Sequence, residues 1–285
     1  MRAAYAIAAM ALIGFALTAC SPGRVLNLAT SSNGARVEKN IAYGAGPRRT
    51  LDVFAPRDVR NAPAAVFFYG GSWQNGDKQT YQFVASALAA KGIVTIVPDY
   101  RVYPEVHFEG FLNDAAKAVR WTRDHARHYG GDPSKLFLVG HSAGAYIAAM
   151  LALDDKWLRR HDMSPARDLK GFVGISGPYD FLPSNDEKIT DIFSTAKTES
   201  QSQPVNYASG KRPPALLLHG TTDTTVYPRN STELADKLRA AGSPVEIKLY
   251  PGVGHLGIIG AMGSPMRFVA PTLEDTAHFI RVKSH

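Results

Sequence analysis

At 285 residues, 45% of them hydrophobic and 20% charged, the chain has the length and composition of one ordinary globular α/β domain with a sizeable core. A single cysteine, Cys20, excludes an internal disulfide and a thiol nucleophile in the body of the fold. The net charge of +7 has no Lys/Arg run longer than a pair such as Arg48-Arg49 or Lys211-Arg212, so it reads as a mildly basic surface and argues against a nucleic-acid partner.

The amino end comes first. Arg2 supplies a positive start, and Ala3 to Leu17 is an apolar run too short to span a bilayer comfortably. It ends in Leu17-Thr18-Ala19-Cys20, which resembles a bacterial lipoprotein lipobox. The resemblance implies that residues 1–19 are a removed signal and that the Cys20 thiol carries a diacylglycerol, anchoring the protein to a membrane of the cell envelope. Ordinary signal cleavage is the alternative, but it asks for a small residue where Leu17 stands. Ser21 is not the aspartate that typically retains Gram-negative lipoproteins at the inner membrane, so the resemblance implies the outer membrane in such a cell. Residues 20–36, rich in Ser, Asn and Gly, read as a tether holding the folded domain, 37–285, off the bilayer.

From Val37 on, strand and helix patterns alternate. Val37 to Tyr43 and Thr50 to Phe54 read as a hairpin with Gly44, Gly46 and Pro47 in its turn. Ala64 to Tyr69 is a continuous apolar run, as a strand buried on both faces should be. A helix follows at Gln79 to Lys91, closed by Gly92, then a buried strand at Ile93 to Val97. Phe108, Phe111, Leu112, Ala115 and Val119 recur at helical spacing, predicting a helix to about Tyr129. Leu136 to Val139 is a short strand, followed at once by a helix of small residues, Ala143 to Leu153. Further strands are predicted at Phe172 to Ser176, Ala215 to Leu218 and Val245 to Tyr250, with helices at Ser231 to Ala241 and Pro271 to Val282. This order predicts an α/β fold with a mostly parallel, doubly wound sheet. Residues 178–210, polar with scattered aromatics and prolines, read as a small cap over the carboxyl edge of that sheet.

Gly140-His141-Ser142-Ala143-Gly144 lies between a buried strand and a helix, the context that a nucleophile elbow requires. The serine sits on a strained turn, so its neighbours two residues away must be small. Gly174-Ile175-Ser176-Gly177 has the wrong spacing and is set aside. An activated serine needs a base and an orienting acid, which follow in the order Ser, acid, His in this type of fold. Asp223 lies just after the strand ending at Leu218, and His255 just after the one ending at Tyr250. His255 is therefore read as the base and Asp223 as the acid, with Asp180 the rival acid. The remaining histidines show no metal-binding spacing and read as structural or exposed. No metal or organic cofactor is implied. Tyr69-Gly70-Gly71-Ser72-Trp73 ends the first buried strand, and its glycines allow backbone N–H groups to approach a substrate oxygen.

Tyr69 to Trp73, with its continuation Gln74-Asn75-Gly76-Asp77-Lys78, resembles the H-G-G-G-W segment of the hormone-sensitive-lipase-like and feruloyl-esterase-like carboxylesterases. Asp99-Tyr100-Arg101 with Pro104-Glu105 is similar to their D-Y-R-x-x-P-E segment, and Gly130-Gly131-Asp132-Pro133 to the stretch before their elbow strand. The resemblance covers Ile41 to Val282 and implies the α/β-hydrolase fold. It makes Ser142, Asp223 and His255 the catalytic triad, and the backbone N–H groups of Gly71, Ser72 and Ala143 the oxyanion hole. Tyr69 and Ser72 depart from the pattern, standing where the family has histidine and glycine. The activity implied is hydrolysis of small carboxylic esters. Amide cleavage on the same fold is the alternative, and a catalytically dead binding module is a third reading that the intact triad argues against.

Overall fold

A computed structural model describes residues 22–30 and 34–285. The stretch 1–19 expected to be a signal peptide, and Cys20, lie outside the described residues.

The chain opens with helix α1 (Pro22–Ala29), then strands β1 (Ala35–Ala42), β2 (Thr50–Pro56) and β3 (Ala62–Phe68). Helix α2 (Gln82–Ala90), β4 (Val94–Pro98), α3 (Phe108–His125), β5 (Gly131–His141) and α4 (Ala143–Leu153) follow. Short helices α5 (Asp155–Arg159) and α6 (Pro165–Asp168) lead to β6 (Gly171–Ile175) and α7 (Glu187–Ile192). The chain closes with β7 (Ala215–Gly220), α8 (Arg229–Ala240), β8 (Val245–Tyr250), α9 (His255–Gly260) and α10 (Thr272–Lys283).

The strands form one eight-stranded sheet in the order β1-β2-β4-β3-β5-β6-β7-β8. The β1–β2 hairpin is antiparallel and pairs antiparallel with β4; every other pairing is parallel. The central strands β3, β4, β6 and β7, and β5 from Leu136 on, are buried almost throughout, which is why they read as unbroken apolar runs. The edges β1 and β8 instead carry charges (Arg36, Glu38 and Lys39; Glu246 and Lys248) that discourage pairing with another chain. Helix α4 has no polar face because all eleven of its residues are buried, wedged between the sheet and the α3, α5 and α6 layer. It is the most enclosed helix of the fold, and its first turn lies at the carboxyl edge of the sheet.

The structure differs from the sequence-based expectation in three places. The segment expected to be an open tether is partly folded: α1 docks beside α2 and the Ser264–Met266 turn. The Asn27 side chain donates to the Gln79 carbonyl at 2.7 Å and accepts from the Phe83 N–H at 2.8 Å, while Leu26 is buried. These tertiary contacts hold a helix too short to persist alone. The long amphipathic helix stops at His125, passes into a 3-10 turn and ends on left-handed Gly130. Finally, His255 opens the two-turn helix α9, where a loop was expected, because Gly254 provides an extended N-cap immediately before it.

Candidate active site

β5 delivers Ser142 to the carboxyl edge of the sheet, where the chain must reverse at once into α4. Ser142 takes φ 55°, ψ −124°, a left-handed conformation that a side-chain-bearing residue adopts only under constraint. The constraint comes from its neighbours. A Cβ on Gly140 would land on the Gly144 carbonyl, and one on Gly144 would land on the Phe68 carbonyl of β3. Strand, turn and helix can pack this closely only with glycine at both positions.

His255 Nδ1 lies 2.8 Å from Asp223 Oδ2, and its Nε2 lies 3.0 Å from Ser142 Oγ. A carboxylate can only accept, so Nδ1 carries the proton and Nε2 is left to accept from the Ser142 hydroxyl. Asp223 is buried, and its other oxygen accepts the N–H groups of Thr225 at 3.0 Å and Val226 at 2.9 Å. Burial alone would raise its pKa. The hydrogen bonds from His219, His255 and the Val226 N–H outweigh that and hold the carboxyl well below the usual carboxylate range. Asp180, the rival, does not take this place. It is held on the neighbouring loop, where its backbone N–H donates to Asn230 Oδ1 at 2.9 Å.

Two further histidines support this arm, and neither stood out in the sequence. His219 is fully buried; its Nε2–H donates to the Val226 carbonyl at 2.8 Å, and Nδ1 accepts from the Ser231 hydroxyl at 2.7 Å. The same Nε2 is 3.4 Å from Asp223 Oδ2, so the ring braces both the acid and the loop that carries it. His141, inside the elbow itself, donates from Nε2 to the backbone carbonyl of His255 at 3.2 Å. Burial, with the His255 ring next to it, lowers the His141 pKa to about 3. The signal for His219 was its place four residues before Asp223. For His141 it was its adjacency to the nucleophile.

Opposite the base lies the turn Gly70–Trp73. Gly71 has φ 139°, and a Cβ there would collide with the Asn75 carbonyl; Ser72 and Trp73 follow at φ 51° and 59°. Three successive residues at positive φ turn the backbone N–H groups away from the sheet. Among the described residues, the N–H groups of Gly71, Ser72 and Ala143 have no intramolecular acceptor. The Ala143 group is the first N–H of α4, an orphan donor at the positive end of the helix dipole. Tyr69, which departs from the family pattern, anchors this turn from below. Its hydroxyl donates to Asp99 Oδ1 at 2.8 Å and accepts from Arg48 at 3.1 Å, and its ring stacks on Tyr100 at 4.7 Å. Tyr100 in turn donates its hydroxyl to the Tyr69 carbonyl at 2.7 Å. Burial, then the neighbouring Tyr100 and Asp99, push the Tyr69 pKa well up, so the phenol stays neutral.

A cavity of about 290 Å³ opens beside Ser142. Trp73, Phe181, Ile189 and Val226 form its apolar wall, while Ser184 and Asp186 at the start of α7 give it a polar rim. Trp73 stacks on Phe181 at 5.3 Å and meets Phe193 edge-on at 4.9 Å, so the segment 178–210 is packed directly onto the turn that follows Tyr69.

The model of the BD-FAE family matches residues 51–238. Isoprenylcysteine alpha-carbonyl methylesterase ICME of Arabidopsis thaliana is 28% identical over 254 residues, which cover 81% of this chain and 59% of that protein. Kynurenine formamidase of Salmo salar is 27% identical over 228 residues, covering 77% and 75%. The structure of Thermogutta terrifontis esterase 2 phosphoramylated by tabun superposes with a TM-score of 0.72 at 25% identity, covering 88% of this chain and 96% of that one. The chain spans 53–60% of the length of the plant methylesterases it matches. The architecture is the α/β-hydrolase fold.

Proposed function

Because the chain belongs to the BD-FAE family, we propose that it is a serine carboxylesterase acting through an acyl-enzyme on Ser142. The observation that carries this reading is the line Ser142 Oγ–His255–Asp223, at 3.0 and 2.8 Å, facing three backbone donors without partners. His255 Nε2 takes the Ser142 proton as Oγ attacks the ester carbonyl. The negative charge that develops on the carbonyl oxygen falls to the N–H groups of Gly71, Ser72 and Ala143. The imidazolium, stabilised by Asp223, then protonates the departing alcohol. In the second half-reaction His255 draws a proton from the water that attacks the acyl-enzyme, then returns it to Ser142 Oγ as the bond to the acyl group breaks and the acid leaves. A fluorophosphonate should label the wild-type protein at Ser142 and leave Ser142→Ala unlabelled. An unlabelled wild type would defeat the proposal.

The formamidase among the relatives supports a second reading, cleavage of an amide by the same residues. The two differ in leaving group, so turnover of a p-nitrophenyl ester against the matching anilide separates them. The ester reading expects the ester to be faster by well beyond its greater intrinsic reactivity.

Membrane anchoring through Cys20 belongs to the proposal as well. Arg2, the apolar run Ala3 to Leu17 and the sequence Leu17-Thr18-Ala19-Cys20 support it. The expected product begins at a Cys20 bearing a diacylglycerol, which salt washing does not release. An unmodified amino terminus elsewhere, found by mass spectrometry, removes the anchor and leaves the esterase reading intact.

A further inference from the structure

Single exposed apolar side chains are ordinary on a protein surface, but a cluster of them is not. Among the described residues, four of the large exposed apolar side chains come from segments packed side by side. Val25 and Leu28 lie on α1, Leu256 on α9 and Phe268 just beyond the turn Ser264–Met266. Leu28, Phe268 and Leu256 are 88%, 87% and 69% exposed. The three segments are joined to one another. Thr30 Oγ accepts from the Ser264 N–H at 3.0 Å, and a groove of about 320 Å³ runs between Leu26 of α1, Tyr81, Phe83, Leu256 and Met266. Val25 and Leu28 are spaced i, i+3, so they share one stripe of α1, while Leu26 is buried and Asn27 ties the helix to residues 79 and 83.

We propose that this face is where the protein lies on a lipid surface, with α1 in contact with the bilayer rather than part of an open tether. The proposal rests on the anchored reading of Cys20. Chain length argues for the bilayer as occupant. Pro22 opens a docked helix two residues after Cys20, and two residues span no more than ~7 Å. A lipid on Cys20 therefore leaves no slack to hold this face off the membrane. The face also borders the site: Leu256 follows His255, and Tyr81, which lines the groove, stacks on Tyr69 at 5.7 Å. Sitting on this face holds the site close to the bilayer, so esters that partition into lipid come within its reach.

The test uses the full chain in phosphatidylethanolamine–phosphatidylglycerol vesicles whose acyl chains are brominated. Brominated lipid quenches tryptophan only on contact. Phe268→Trp serves as reporter on the proposed face, and Val282→Trp, an exposed site on α10, as control; the three native tryptophans supply a common background. The expected result is at least threefold stronger quenching of the added fluorescence for Phe268→Trp. Adding Val25→Asp and Leu28→Asp to that variant should return it to the control level, with hydrolysis of a soluble ester unchanged. Equal quenching of the two reporters overturns the face, as does a dimer in which Phe268→Trp is shielded without lipid. Mass spectrometry of the amino terminus scores the anchor separately. A chain held through an uncleaved leader still lets the two reporters decide the face, and a chain that stays out of the vesicles overturns both readings.

Discussion

The two sides of the site are built from different materials. The base side is a polar relay in which Asp223, His255, His219 and His141 hold one another through hydrogen bonds of 2.7 to 3.4 Å with their neighbours. The oxyanion side is a strained backbone turn laid on aromatic rings, with Tyr69 stacked on Tyr100 and Trp73 packed against Phe181 and Phe193. The first side has to move protons, so it needs groups whose charge can change and partners that fix which nitrogen carries the proton. The second has to present fixed dipoles to a charge that appears only in the transition state, so it needs rigidity and neutral support. Damage to the first should disturb proton transfer. Damage to the second should lower the rate at every pH alike.

Ser142→Ala removes the atom that both sides serve and should have the largest effect. We expect ester turnover to fall by about 10⁵-fold or more, with the residue of activity arising from binding and the oxyanion donors. Steady-state kinetics on purified, folded protein would check it, and near-wild-type turnover would sink the division into two serving sides. Asp223→Asn comes next. The amide can donate to His255 Nδ1, which forces the proton onto Nε2 and removes the acceptor that Ser142 needs, so a loss of about 10⁴-fold is expected. Asp180→Asn leaves its backbone bond to Asn230 intact and should stay within about twofold of wild type, an order set by the small effect of substitutions away from such features. The reverse ranking would move the acid to Asp180.

Tyr69→Phe probes the other side with a milder change. It deletes the hydroxyl between Asp99 and Arg48 but keeps the stacked ring. Asp99 retains the Lys78 N–H at 2.8 Å and the Lys78 ammonium at 3.3 Å, so the fold should persist. A loosened turn should lower kcat about fivefold, the equivalent of one ordinary hydrogen bond, with the shape of the pH–rate profile unmoved. A shifted profile would mean that the two sides are coupled and that the contrast is wrong.

The sequence made the two sides unequally legible. Ser142, Asp223 and His255 stood out because each follows a strand that the sequence pattern identifies, and the structure brings the three into hydrogen-bond contact. The parallel sheet was legible for the same reason. The support of Tyr69 was not, since its partners come from two loops, Arg48 from the β1–β2 turn and Asp99-Tyr100 from the end of β4, that only the sheet order brings together. The docking of α1 was hidden for a related reason. Its eight residues carry no strong helical signal, and the bonds that hold it reach to Gln79, Phe83 and Ser264. Local pattern reports local structure; contacts across 50 to 230 residues leave little trace in it.

The smallest effect expected is on stability rather than rate, and it separates the sides by charge. His141 is buried at the elbow, with Nε2 bonded to the His255 carbonyl and Nδ1 unpaired, so the folded protein keeps the ring neutral down to about pH 3. In the unfolded chain the same imidazole titrates near its ordinary value of 6.5. Below pH 6.5 the unfolded state therefore binds a proton that the folded state does not. Stability from this group is fully present above that pH and is lost as pH falls, by up to about 1.4 kcal/mol per pH unit until the folded form titrates. Between pH 7 and pH 5 the loss integrates to about 2 kcal/mol. His141→Gln keeps a side-chain donor for the His255 carbonyl but has no proton to gain, so the loss between those pH values should be smaller in the variant by that amount. Asp223 and the other acids titrate in both proteins and cancel in the comparison. The neutral Tyr69 on the oxyanion side has nothing to gain from acid, so Tyr69→Phe should leave the pH dependence of stability as it is in wild type. Urea unfolding of the three proteins at pH 7 and pH 5 measures both expectations. Parallel losses in wild type and His141→Gln would show that His141 charges in the folded state, and that the base side is wetter than its burial implies.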